Sequence, residues 1–140
     1  MKETIADDGP APEDALRRLR ELRRALLHLH KALLDGERAW YEEAHGVVSS
    51  GELLQLVISH EQFAWLHSVS ELVVRMDEML DADEGVTAGD ARALVAQARS
   101  LVTPSATGTE FQRKYYAAIQ REPAVVLAHR GVTKILPPGA

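Results

Sequence analysis

The chain has 140 residues, a length that suits one domain with a sizeable core. It has no cysteine, which excludes a disulfide framework, a thiolate metal site and a cysteine nucleophile together, and fits a reducing compartment. A net charge of −5 weighs against nucleic acid as the main partner.

No window approaches the roughly 18 consecutive apolar residues of a membrane span. The first ten residues also lack the apolar core of a signal peptide. The expectation is a cytoplasmic protein with no membrane contact. Twelve of its sixteen basic residues are Arg, which together with abundant Ala and Leu suggests a GC-rich bacterial genome.

Residues 1–11 are acidic and hold Gly9 and Pro10, the composition of a disordered tail. From Pro12 to His45 the sequence reads as one long helix. Leu19, Leu22, Leu26, Leu29, Leu33, Gly36 and Trp40 recur at spacings of three and four, a heptad seam with six of seven positions apolar. Leu16, Leu27, Leu34 and Tyr41 form a second row beside it. Pro12 suits the first turn, and Gly46 suits a C-terminal glycine stop. Gly36 costs about 0.5–1 kcal/mol relative to alanine in mid-helix. It marks either a close crossing by another helix or a bend, even a break into two helices; the unbroken phase from Leu33 to Trp40 favours a continuous helix with a close crossing.

Ser49 and Glu52 form a capping-box pattern that opens a second helix carrying Leu53, Leu54, Leu56, Val57 and Ile58. After the interruption at His60-Glu61-Gln62, a third helix to Asp81 holds Trp65, Val69, Leu72, Met76 and Met79 on one seam. A fourth follows the Thr87 cap, with Ala91, Leu94, Val95, Ala98, Leu101 and Val102 inward. Thr109 caps a fifth, with Phe111, Tyr115, Ala118 and Ile119 inward. Pro123 begins a short sixth element from Ala124 to His129, because the residue before a proline resists the helical region. Val132, Ile135 and Leu136 are expected to pack as an extended tail. No run alternates with period two over a useful length. The prediction is an all-α bundle of five to six helices organised around the long N-terminal one, with tails at 1–11 and 131–140 around a single domain at 12–130.

A helix over residues 12–45 is about 50 Å long, whereas one over residues 62–81 reaches only about 30 Å. The seam from Leu16 to Leu26 then lacks cover within the chain, and an exposed leucine row favours a homodimer. Leu19 and Leu22 are the expected contact residues. Beside them Arg17, Arg18, Arg20, Arg23 and Arg24 place five arginines within eight residues. They suit either a solvated face paired with Glu13, Asp14 and Glu21 or an acidic protein partner. No aromatic residues interleave to stack bases, so nucleic acid is disfavoured.

Six histidines invite a metal hypothesis, with His30, His60, His67 and Glu71 the candidates. Helical bundles hold metals with inward Glu-x-x-His pairs. Here Glu42 and His45, and likewise His67 and Glu71, fall at outward c and f phases. His28 and His30 point about 200° apart on a helix. His60 suits a cap or turn, and no histidine has a partner nucleophile or orienting carboxylate. Arg113, Lys114, Tyr115 and Tyr116, with Arg121 beyond, form a smaller basic and aromatic cluster in which Tyr115 faces the core and Tyr116 a rim. Phosphate-cradling and nucleophile-elbow glycine motifs are absent. No catalytic residue and no cofactor are implied.

Glu52 to Leu56, Phe63 to Leu66, Ser70 to Glu78 and Gln120 to His129 give the chain, over roughly Leu29 to His129, the look of a known group. It resembles an uncharacterised family of short bacterial all-helical proteins. That resemblance implies an all-α domain and carries no activity, cofactor or site residue. The expected function is a non-catalytic protein-interaction or regulatory module working through Arg17, Arg20, Arg23 and Arg24. The alternative is a small-ligand or metal-binding bundle.

Overall fold

The leucine seam finds its cover inside the chain. In the computed structural model, which describes residues 9–137, α1 runs unbroken from Glu13 to His45. Glu13 and Asp14 put negative charge in its first turn, where the helix dipole favours it. Gly46 ends it at a φ of 87°, a left-handed conformation open to glycine. Five helices follow: α2 (Ser50–Ser59), α3 (His67–Asp81), α4 (Ala88–Leu101), α5 (Glu110–Arg121) and α6 (Pro123–Ile135). A 3-10 segment, Glu61–Leu66, leads from α2 into α3. Apart from one isolated bridge between Pro10 and Thr87, the described residues contain no strand pairing, so the protein is an all-α bundle. Among them no helix is long and apolar enough to cross a membrane.

Local signals place the helix starts. The Ser49 hydroxyl accepts from the Glu52 N–H at 3.1 Å while the Glu52 carboxylate accepts from the Ser49 N–H at 2.8 Å. Thr109 and Gln112 close the same reciprocal box at 3.1 and 2.9 Å. The Thr87 hydroxyl accepts from the Asp90 N–H at 3.0 Å. Each box satisfies amide donors that a helix start leaves without internal partners.

Around α1 the neighbours run back along its length. Arg23 pairs with Asp77 near one end, and Trp65 bonds to Glu37 near the other, so α3 lies antiparallel to α1. Glu122, just before α6, packs at Gly36, while Gly131 and Lys134 share a surface hollow with Arg18 and Arg24. α6 therefore also runs antiparallel to α1. A Cβ at Gly36 would stand 3.3 Å from Glu122 Cγ, which is the close crossing the glycine permits.

Three expectations change. First, the last helix does not stop at His129 but continues to Ile135 and buries Val132, so that stretch is helical rather than extended. Second, this added turn and α4, with Ala91, Leu94 and Ala98 buried, close over the seam thought to be open. Leu19 and Leu22 are fully buried core residues and cannot line a contact between molecules. The uncovered-seam argument for a dimer falls with them. Third, Trp40 is 53% exposed, because the helix that covers the seam begins beside Gly36 and nothing of comparable size extends past it. Of the N-terminal stretch expected to be disordered, residues 1–8 lie outside the described residues. Ala11 is pinned: its N–H donates to the Val86 carbonyl at 2.8 Å, and the Ala88 N–H donates to the Gly9 carbonyl at 2.8 Å.

Replacing Leu22 by Ala should cost about 2–5 kcal/mol, the range for a buried leucine whose cavity does not collapse. Leu127→Ala, on the largely exposed face of α6, should cost less than about 1 kcal/mol. Urea unfolding of the two variants checks the contrast.

Candidate functional site

The arginines of α1 divide into two kinds. Arg17, Arg18, Arg20 and Arg24 are exposed, whereas Arg23 is half-buried and donates from Nε to the Asp77 carboxylate. Arg23 thus ties α1 to α3 and is not free for a partner in the way its neighbours are.

The metal candidates do not converge. Among the described residues no three of His, Asp and Glu approach closely enough to hold a metal ion. His30 and His67 do come within electrostatic reach of each other, but His67 donates from Nε2 to the Val57 carbonyl at 2.8 Å. Glu71 is exposed along a different groove with Arg75 and Gln97. His60 caps the 3-10 segment, its Nδ1 accepting from the Gln62 N–H at 3.1 Å, with its ring edge-on to Tyr41.

The feature with most chemical content is a cleft of about 480 Å³ between α1, the 3-10 segment and α5. Its deep wall is Glu37, a carboxylate only 4% exposed and, among the described residues, the single charged side chain in the buried set. In a 3-10 helix side chains three apart eclipse, so Gln62 and Trp65 lie on the same side and reach Glu37 together. Gln62 Nε2 donates to Oε1 at 2.9 Å and Trp65 Nε1 donates to Oε2 at 3.1 Å. Gln62 Nε2 also donates to the Glu37 carbonyl at 3.2 Å. Both side-chain partners are neutral donors.

The opposite wall is one face of α5. Glu110, Arg113, Lys114, Ala117 and Arg121 recur at helical spacing along it, while Phe111, Tyr115 and Ala118 turn toward the core. The Thr109–Gln112 box sets where α5 begins. Pro123 sets where it ends, by holding Glu122 in an extended conformation. Arg121 in the last turn lies over the Trp40 ring, 4.4 Å from its centroid, and its Nε donates to Glu122 at 3.3 Å. Lys114 pairs with Glu110 at 3.4 Å. An aromatic row, Trp65 to Phe111 at 5.3 Å and Phe111 to Tyr115 at 5.7 Å, fastens α5 to the 3-10 segment.

That row continues to His129, whose Nδ1 lies 2.6 Å from the Tyr115 hydroxyl. Burial pushes the Tyr115 hydroxyl pKa up and the His129 pKa down. The pair is therefore a tyrosine O–H donating to a neutral imidazole, which holds α5 to α6. Burial likewise lowers the His30 pKa below 6.5, with the nearby His67 charge adding to it.

Arg113, Lys114 and Arg121 were visible in the sequence as a basic cluster beside aromatics, and Tyr115 is buried and Tyr116 exposed as their phases require. Glu37 carries no sequence signal, since a glutamate flanking a heptad seam is ordinary helix surface. The donors that bury it come from twenty-five and twenty-eight residues away.

Two predictions follow from these contacts. The triple change Arg17→Ser, Arg20→Ser, Arg24→Ser should move the unfolding free energy by no more than about 0.5 kcal/mol per site. Tyr115→Phe leaves the His129 Nδ1 without its donor and should cost about 1–3 kcal/mol. The histidines also set a pH dependence. Both have lowered pKa values in the folded state, so the unfolded chain takes up protons first as the pH falls. Their stabilising contribution is full above pH 6.5 and is lost as the pH drops below that value toward the lowered ones. Urea midpoints at pH 7, 6 and 5 should decline, and His30→Gln with His129→Gln should flatten the decline.

Comparison with protein-family models, with curated proteins and with solved structures finds no match.

Proposed function

We propose that the protein is a non-catalytic protein-interaction module that works as a homodimer joined through α2. One observation carries this reading. α2 holds Leu53, Leu54, Leu56, Val57 and Ile58 within ten residues; Leu53, Leu56 and Val57 are half-buried against the core, and none of its residues is fully buried. Leu54 and Ile58, four apart and so on one helix face, are 58% and 60% exposed, and Val47 just before the helix is 89% exposed. Clustered aliphatic side chains left in water are the mark of a contact surface.

The chemistry of this face selects a second copy as its occupant. Glu52 is the one charged residue of α2, and its carboxylate is engaged in the capping box. A face without charge complements itself across a two-fold axis, where Leu54 and Ile58 of each copy meet their counterparts. It has no charge with which to single out an acidic or basic partner. The exposed Arg17, Arg20 and Arg24 lie on a different helix and supply the dimer with a basic surface suited to an acidic protein.

Sedimentation velocity at tens of micromolar protein tests the proposal. The wild type should sediment at twice the chain mass of 15.4 kDa. The Leu54→Glu, Ile58→Glu variant should be monomeric with a thermal midpoint within a few degrees of wild type, because neither side chain is in the core. A monomeric wild type at that concentration overturns the dimer.

A further inference from the structure

Glu37 poses a physical question that the dimer does not answer. Burying a carboxylate is costly unless it is paired or fully hydrogen-bonded. A carboxylate has about four acceptor positions, and here one neutral donor reaches each oxygen. The acceptor capacity left over belongs to a group at the deep wall of an open cleft. Departures of this kind from the general rules of folding collect at functional sites.

The cleft is also bipolar. Arg113, Lys114 and Arg121 stand along α5, with Glu110 beside Lys114 and Glu122 beside Arg121, so that wall keeps an excess of basic side chains, whereas the facing wall offers Glu37 as its charge. Between the two lie the indoles of Trp40 and Trp65 and the small side chain of Ala117, which leaves room for a flat body. The two indoles are the only tryptophans in the chain. A volume of about 480 Å³ falls within the roughly 300–1,000 Å³ of small-molecule sites.

We propose that this cleft binds a small amphoteric organic molecule. Its anionic group meets Arg113 and Arg121, its ammonium group meets Glu37, and its flat apolar body lies between Trp40 and Trp65. Each part excludes a simpler ligand. A plain anion reaching the deep wall would face a buried carboxylate where charge repulsion is poorly screened. A plain cation would leave the excess positive charge of the α5 wall without a counter-charge. An ammonium at Glu37 makes a charge-assisted hydrogen bond, the stronger kind, and supplies the charged partner that the fold does not.

The tryptophans report on the site directly. The experiment is a titration of intrinsic fluorescence at neutral pH with 4-(aminomethyl)benzoate, which carries both groups on one ring, and with benzoate and benzylamine, which carry one each. The two-ended probe should give a saturable change, with each one-ended compound at least roughly tenfold weaker. Glu37→Gln should weaken the two-ended probe by roughly tenfold while leaving benzoate no weaker. Arg113→Gln with Arg121→Gln should weaken the probe and benzoate alike and leave benzylamine no weaker.

No saturable change up to roughly 10 mM probe overturns the site. Benzoate binding as tightly as the two-ended probe overturns the amphoteric assignment. If Glu37→Gln loses its helical circular dichroism, the arginine pair decides, because neither side chain belongs to the core and their removal leaves it intact. Unchanged probe affinity in that variant then overturns the proposal.

Discussion

Burial of one continuous leucine row governs this molecule. Leu19 through Leu33 on α1 lie at or near complete burial, and each contributes about 1.5–3 kcal/mol on leaving water. A helix of 33 residues is about 50 Å long, longer than any other helix in the bundle. Its cover is therefore assembled from several shorter pieces. α3 and α6 run back along it, and α4 closes the N-terminal end, where Ala11 is bonded to the loop that precedes α4. Removing any one of these elements would open a stretch of the same row, which makes their packing interdependent.

The cleft lies where this cover stops. Pro123 cannot extend α5, so the chain turns at Glu122 and α6 starts beside Gly36. Past that crossing the heptad phase of α1 continues but the covering helix does not. Trp40 is consequently at the surface, and Glu37, one position after the crossing, depends on the 3-10 segment for its partners. The same geometry turns the basic face of α5 toward α1 across a gap. A cleft with charge of opposite sign on its two walls is thus a product of helix lengths and one proline rather than of a local motif.

α2 stands apart from this arrangement. It packs against the 3-10 segment and keeps no buried residue of its own, although its composition is among the most apolar in the chain. Its capping box defines where the helix begins but supplies little burial. The stability of a helix of ten residues comes mainly from packing its apolar face. Leu53, Leu56 and Val57 are half-buried against the core, while Leu54 and Ile58 stay exposed on the other face.

Much of the architecture was legible in the residues themselves. Spacings of three and four marked α1 and its inward row, and Ser49, Thr87 and Thr109 marked three helix starts through their hydroxyls. The phase of Phe111 and Tyr115 marked the inward face of α5. These are local properties, set by periodicity and by hydrogen bonds between residues three apart, so the sequence alone determined them. Tertiary packing decided the rest. Only the paths of α4 and α6 show that Leu19 and Leu22 are core, and only packing carries the last helix past His129 to Ile135. Only the end of that path leaves Trp40 exposed. The burial of Glu37 arises from Gln62 and Trp65, far from it in sequence. Periodicity states which face of a helix is apolar, whereas what covers that face depends on the direction in which distant helices cross it.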